Sequence, residues 1–134
     1  MDACLYAKDN AQRNLSLGGG VFSQSEQDVY LQARAQGVLV FASAGNASSA
    51  TPDYPAAYEG VVSVSATTIS NSLASYSNFG SDIDIAAPGG ERGTDLKGDG
   101  VADGVMSALG DDSNTQISFG FGVLTGTSMA APHA

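Results

Sequence analysis

The chain has little of what a covalently cross-linked or nucleic-acid-binding protein needs. It carries one cysteine in 134 residues, Cys4, so no disulfide forms within it. Tryptophan is absent, and five Lys and Arg face fourteen Asp and Glu, a net charge of −9. Phosphate backbones are held by clustered cations, so this balance excludes a nucleic-acid partner. No apolar run reaches the ~18 residues of a membrane-spanning helix, so no membrane partner is expected. The opening MDACLYAKDNAQ lacks the basic start and long apolar stretch of a signal peptide. Histidine occurs once, as His133.

What is present suits an α/β domain with many tight turns: 43% hydrophobic residues and 17 glycines. Residues 3–12 read as the end of a helix, with Cys4 as a small apolar residue on its face. Residues 14–17 read as a strand running into Gly18-Gly19-Gly20. A helix is expected over 23–36, capped by Ser23 or Ser25, with Glu26 placed for a capping box and Gly37 at its close. The run VLVFASA at 38–44 reads as a strand buried on both faces, as in a parallel sheet, and Gly45-Asn46 ends it. A loop over 47–60 precedes an alternating strand at 61–66. Another strand, at 83–87, is stopped by Pro88-Gly89. Residues 89–116 read as an acidic, glycine-rich insertion or metal loop, and 117–124 as a hairpin arm. Gly126-Thr127-Ser128 opens a last helix of at most two turns. Neither an internal repeat nor a second domain is visible. Ligand sites in such sheets gather at the carboxyl ends of strands. Gly18-Gly19, Gly45-Asn46 and the turn before Ser128 all fall at such positions.

Ser128 begins a helix after two small residues. Backbone N–H groups there are unpaired and the helix dipole favours an anion. That arrangement suits an exposed hydroxyl beside a donor for a developing oxyanion. It also suits an ordinary N-cap, and the octapeptide's physics alone leaves both readings open.

The wording of the segment goes further. Gly126-Thr127-Ser128-Met129-Ala130-Ala131-Pro132-His133 is similar to the nucleophile segment of the subtilisin-like serine proteases, GTSMA-x-PH. Three more stretches agree in the family's order. Asn14-Leu15-Ser16-Leu17-Gly18-Gly19 resembles its substrate-binding strand. Ala44-Gly45-Asn46 resembles the segment with its oxyanion asparagine. Ser77-Asn78-Phe79-Gly80 and Ile85-Ala86-Ala87-Pro88-Gly89 resemble its SNxG and APG segments. The resemblance implies a three-layer α/β fold with a mostly parallel sheet. It implies Ser128 as nucleophile and Asn46 as oxyanion donor. Ser16, Leu17 and Gly18 would pair with the substrate backbone, and Ala44 and Gly45 would wall the specificity pocket. The loop 47–55 would supply the pocket floor. There Asp53 points either inward, favouring a basic side chain at the cleaved position, or outward as a solvated carboxylate, the reading preferred from sequence. Protein or peptide substrates and secretion are implied in the same way.

Catalysis of this kind needs a histidine base and an orienting aspartate. His133 lies five residues past Ser128, over a helical turn away and on a different face. It reads as a packing residue. No segment resembles the family's DTG or HGTH motifs. Residues 1–134 therefore read as the C-terminal part of a subtilisin-like peptidase domain, lacking the Asp and His segments and the end of the nucleophile helix. Two functions follow. In the intact protein the chain serves an endopeptidase acting through an acyl-enzyme on Ser128. By itself it is an inert fragment or pseudoenzyme with at most peptide- or calcium-binding ability, and its folding alone is doubtful because strand faces would lie exposed. One departure from the family is Arg13, where an apolar residue is usual, because a buried unpaired guanidinium is costly.

Calcium is the one cofactor suggested. In residues 95–104, Asp95, Asp99, Val101 (through its carbonyl) and Asp103 fall at the first, fifth, seventh and ninth positions of an EF-hand-like loop, with Gly100 at the turn. Lys97 at the third position and Met106 at the twelfth count against it, unless Asp111 or Asp112 substitutes. A solvated acidic hairpin is the alternative. A second position, Asp84 with the carbonyls near Gly60 and Val62, rests on the resemblance alone.

Overall fold

The computed structural model describes residues 12–111 and 118–134. Most of the expected helix over 3–12, with Cys4, lies outside them, as does Asp112. Gln12 itself opens the first strand.

Four strands form one parallel sheet in sequence order: β1 (Gln12–Leu15), β2 (Leu39–Ser43), β3 (Val61–Thr67) and β4 (Ile85–Pro88). The register places Leu15 beside Ala42, Ser43 beside Val64 and Thr67 beside Pro88. Helix α1 (Gln24–Ala35) makes the β1–β2 crossover. A separate antiparallel hairpin, β5 (Val105–Asp111) and β6 (Ser118–Leu124), leads to α2 (Thr127–Ala130) and a 3₁₀ turn, Ala131–His133.

The branched, apolar β2 and β3 are buried on both faces because each face has its own core. Val40, Ala42 and Val61 pack with Ala33 of α1 and with Tyr58. Phe41, on the opposite face of β2, joins Val64, Ala66, Tyr76 and the Ala130-Ala131 pair after Ser128. The small Ala130 lets the turn at Ser128 sit directly on the sheet. Burying a Val side chain contributes about 1.5–3 kcal/mol, so Val40 and Val64, both fully buried, anchor the two faces.

Several expectations are corrected. The capping box does not form: the Ser23 N–H donates to Tyr58 Oη at 2.9 Å, and Tyr58 donates to Glu26 at 2.8 Å. The loop 47–60 folds back and supplies Tyr58, which takes both groups. Gly37 does close α1, with φ +84°. Residues 61–66, read as alternating, are buried almost throughout, since cores lie on both sides. Part of the 89–116 segment is strand β5, which pairs with β6, the hairpin arm expected at 117–124. Among the described residues β1 pairs with β2 alone, and its four residues alternate between exposed and half-buried. There Arg13 Nε is buried without a hydrogen-bond partner among the described residues.

The segment after β4 is pinned by Glu91. Burial alone would raise its carboxyl, but donors from Ser75 N (2.6 Å), Ser75 Oγ (2.7 Å) and Arg92 N (2.9 Å) hold it below the ordinary value. A depressed carboxylate contributes stability above its unfolded pKa of about 4.3, and loses it as pH falls through the folded value. Glu91→Gln, which turns an amide donor toward Ser75, is therefore expected to lower the melting temperature of the intact protein at neutral pH. The deficit should shrink below about pH 4, as thermal scans across pH will read.

Candidate active site

Three strand-end segments converge where the chain leaves the sheet. Beyond β1, Ser16 Oγ accepts from Asn14 Nδ2 at 3.0 Å and donates to the Ser128 carbonyl at 2.7 Å. Beyond β2, the Gly45 N–H donates to Thr127 Oγ1 at 3.2 Å. The Asn46 Oδ1 accepts from Thr127 N at 2.9 Å and from Thr127 Oγ1 at 3.0 Å. Two donors on one oxygen fix the amide's orientation and turn Nδ2 away from Thr127. Neither Asn46 Nδ2 nor the Ser128 N–H has an acceptor among the described residues. Asn46 is bonded to Thr127, the residue before the half-buried Ser128, so both donors belong to one turn, an arrangement able to stabilise an oxyanion.

The geometry exists because of Gly45 and Asn78. Gly45 has φ +105°, and an added Cβ would lie 2.5 Å from Asn78 Nδ2 and 2.7 Å from Asp53 Oδ2. Asn78, only 4% exposed, has its amide satisfied around this turn. Its Nδ2 donates to the Ala44 carbonyl at 2.9 Å, and its Oδ1 accepts from Ala47 N at 2.9 Å and Ser49 N at 3.2 Å. Its own N–H donates to Gly45 O at 3.0 Å. Sequence reasoning did not give Asn78 or Thr127 these tasks. Both lay inside segments marked only by resemblance, and contacts 29–34 residues apart for Asn78 and 81–82 for Thr127 have no local signature.

Leu17 and Gly18 line the opposite wall. Ser43 Oγ donates to the Leu17 carbonyl at 3.2 Å, tying the two walls together. Leu17 is 56% exposed, a large apolar side chain at an open edge. Asp53 lies between the walls, against the outward reading preferred from sequence. Its Oδ1 accepts from the Gly19 N–H at 2.7 Å. The glycines at 18 and 45 leave room for the carboxylate, a constraint that loop length alone did not reveal.

His133 is exposed, and its Nδ1 lies 3.0 Å from the Pro88 carbonyl, donating to it. No hydrogen bond joins it to Ser128; it ties the 3₁₀ turn to β4 from an exposed position, where the sequence suggested a packed one.

Among the described residues, no group of three or more His, Cys, Asp or Glu is placed to hold a metal. The Asp95 carboxylate instead caps the backbone N–H groups of Gly98, Asp99 and Gly100, and these bonds, that of Gly100 foremost, lower its pKa. Asp99 accepts from Val101 N at 2.9 Å. Asp103 is buried, accepts from Leu96 N and sits 3.7 Å from Lys97 Nζ. The cation is thus supplied by Lys97, at the third loop position. Asp84 accepts from Ser63 N at 2.8 Å and is exposed beside Gly60 and Val62.

Comparisons with known proteins agree with this geometry. The model of the subtilase family matches residues 6–134. The chain is 38% identical over 122 residues to a protein named "Extracellular protease" from Xanthomonas campestris pv. campestris, covering 90% of this chain and 19% of that protein. It is 37% identical over 124 residues to "Subtilisin-like protease 4" of Trichophyton rubrum, covering 92% of this chain and 26% of that one. Among solved structures, a protease from Pseudoalteromonas arctica superimposes with a TM-score of 0.80 at 38% identity, over 92% of this chain and 36% of that chain. A cold-adapted subtilisin-like serine proteinase does so with a TM-score of 0.71 at 30% identity, over 97% and 42%. The chain thus spans about a fifth to a quarter of the curated relatives it matches. By its match to the family model over residues 6–134 and its parallel sheet, this chain belongs to the subtilase family.

Proposed function

We infer that this chain provides the nucleophile half of a secreted serine endopeptidase that hydrolyses peptide bonds in proteins. The observation that carries the reading is the pair of unengaged donors, Asn46 Nδ2 and Ser128 N–H, beside the Ser128 hydroxyl. An extended substrate adds to the edges at 16–18 and 44–45 as a further strand, its backbone close to the glycines. Ser128 Oγ attacks the scissile carbonyl carbon. The serine proton passes to a histidine base from outside these 134 residues, because His133 is tied to Pro88. The carbonyl oxygen, now anionic, receives the two donors. Collapse expels the amine, which takes that proton, and leaves an acyl-enzyme on Ser128. Water then attacks the ester, returning the hydroxyl and releasing the acid.

The test is a rapid-mixing assay of the intact protein with an activated ester. A burst of about one equivalent of leaving group, with the acyl mass on Ser128, is expected from a covalent intermediate. Hydrolysis without a burst or without that adduct would sink the reading.

Thr127 holds Asn46 rather than touching substrate. Thr127→Val keeps the shape and the backbone donor but removes Oγ1, which donates to Asn46 and accepts from Gly45. Losing a bond of about 1–1.5 kcal/mol is expected to lower kcat roughly five- to tenfold, with KM little changed. Steady-state kinetics on one peptide substrate would measure this split.

The second reading, an inert chain, applies to these 134 residues taken alone. It is favoured by the single histidine, which is engaged by Pro88.

A further inference from the structure

Asp53 is placed differently from an ordinary loop carboxylate. One oxygen, Oδ1, accepts from the Gly19 N–H at 2.7 Å, on the wall that extends β1. The other, Oδ2, lies against both walls: a Cβ on Gly18 would be 3.0 Å from it, and one on Gly45 2.7 Å. Oδ2 has no hydrogen-bond donor among the described residues, and the ion pair found among them, Lys97–Asp103, does not involve Asp53. The side chain is half-buried. Gly45 in turn is bonded to Thr127, the neighbour of Ser128. A carboxylate with one oxygen lacking a donor among the described residues therefore lies between the two strand ends, next to a glycine bonded to the turn of Ser128.

We propose that Asp53 sets specificity by receiving a cationic side chain, Lys or Arg, from the substrate residue whose carbonyl Ser128 attacks. This rests on the peptidase reading above. A half-buried anion without a counter-charge favours the ligand that supplies one, and charge-assisted hydrogen bonds are the stronger kind. A side chain that reaches a carboxylate behind two glycine walls is long, and Lys and Arg are the long side chains of opposite charge. Because Oδ1 is already committed to Gly19, the contact is single-pronged, and Lys and Arg are accepted about equally. The bond to Gly19 also gives Asp53 a tying role between the walls. Asparagine keeps that role, since its Oδ1 accepts the same N–H while the charge is removed.

The experiment uses the intact protein and peptides that differ only at this position, with Lys, Arg, Met, Gln or Glu. The expected kcat/KM ranks Lys and Arg at least about tenfold above Met and Gln, with Glu lowest. Asp53→Asn should lower the Lys-to-Met ratio about tenfold. In the wild type the ratio should fall as salt rises, a readout that needs no variant. Ser128-dependent cleavage that prefers Met over Lys, or a ratio unmoved by salt and by Asp53→Asn, would overturn the proposal while leaving the peptidase reading standing. If no peptide is cleaved, both are overturned.

Discussion

Ser128→Ala is expected to lower kcat of the intact protein by about 10⁶, the scale established for removing the nucleophile of subtilisin itself. The reason is that every later step runs through the ester on Ser128. Its backbone N–H stays in place, as do Asn46 and the walls at 16–18 and 44–45, so substrate binding should survive. KM should therefore change far less than kcat. What remains should be the weak acceleration of a site that binds and orients substrate but forms no covalent bond, of order 10³ over water. Burst kinetics and turnover on one chromogenic peptide would check both parts. A variant retaining even a hundredth of the activity would mean that another group attacks.

Asn46→Leu should be the next most damaging change. Leucine approximates the shape of asparagine but offers no donor to the oxyanion. The loss in kcat is expected at about 10²–10³, the range known for the same donor in subtilisin. Two features make the effect specific. The Asn46 amide is oriented by Thr127 N and Oγ1, so Nδ2 is held in advance of the reaction. The interaction strengthens only as charge develops on the substrate oxygen, so kcat should fall with KM almost unchanged. A KM effect as large as the kcat effect would mean that Asn46 serves ground-state binding. Comparing Asn46→Leu with Thr127→Val and the double variant adds a check. If Thr127 acts through Asn46, the double variant should be little worse than Asn46→Leu alone.

Much of this site was legible in the sequence because its residues sit in short, chemically constrained segments. Gly126-Thr127-Ser128 reads as a helix start beside a hydroxyl, and the structure puts α2 at Thr127–Ala130. The apolar run at 38–44 gave β2, since a strand buried on both faces has no polar alternation. The illegible parts depend on partners distant in the chain. Asn78 clamps residues 44–49 across roughly thirty residues, and nothing local distinguishes it from a turn asparagine. Asp53 was read as outward because the loop length left its direction open. Its inward placement depends on Gly18, Gly19 and Gly45 meeting in space. The acidic spacing at 95–103 looked like a cation loop. There Asp95 and Asp99 accept short-range backbone hydrogen bonds and Lys97 lies beside Asp103, contacts that spacing alone does not reveal.

The central claim is that Ser128 is the nucleophile and that its base comes from outside these 134 residues. Fluorophosphonate labelling addresses it most directly, applied in parallel to the intact protein and to the 134-residue chain alone, each with Ser128→Ala as control and the adduct mapped by peptide mass. The expected outcome is one adduct on Ser128 in the intact protein and none on the isolated chain. An adduct on another residue of the intact protein would contradict the assignment of the nucleophile. Ser128-dependent labelling of the isolated chain would contradict the account of His133 and of the missing base.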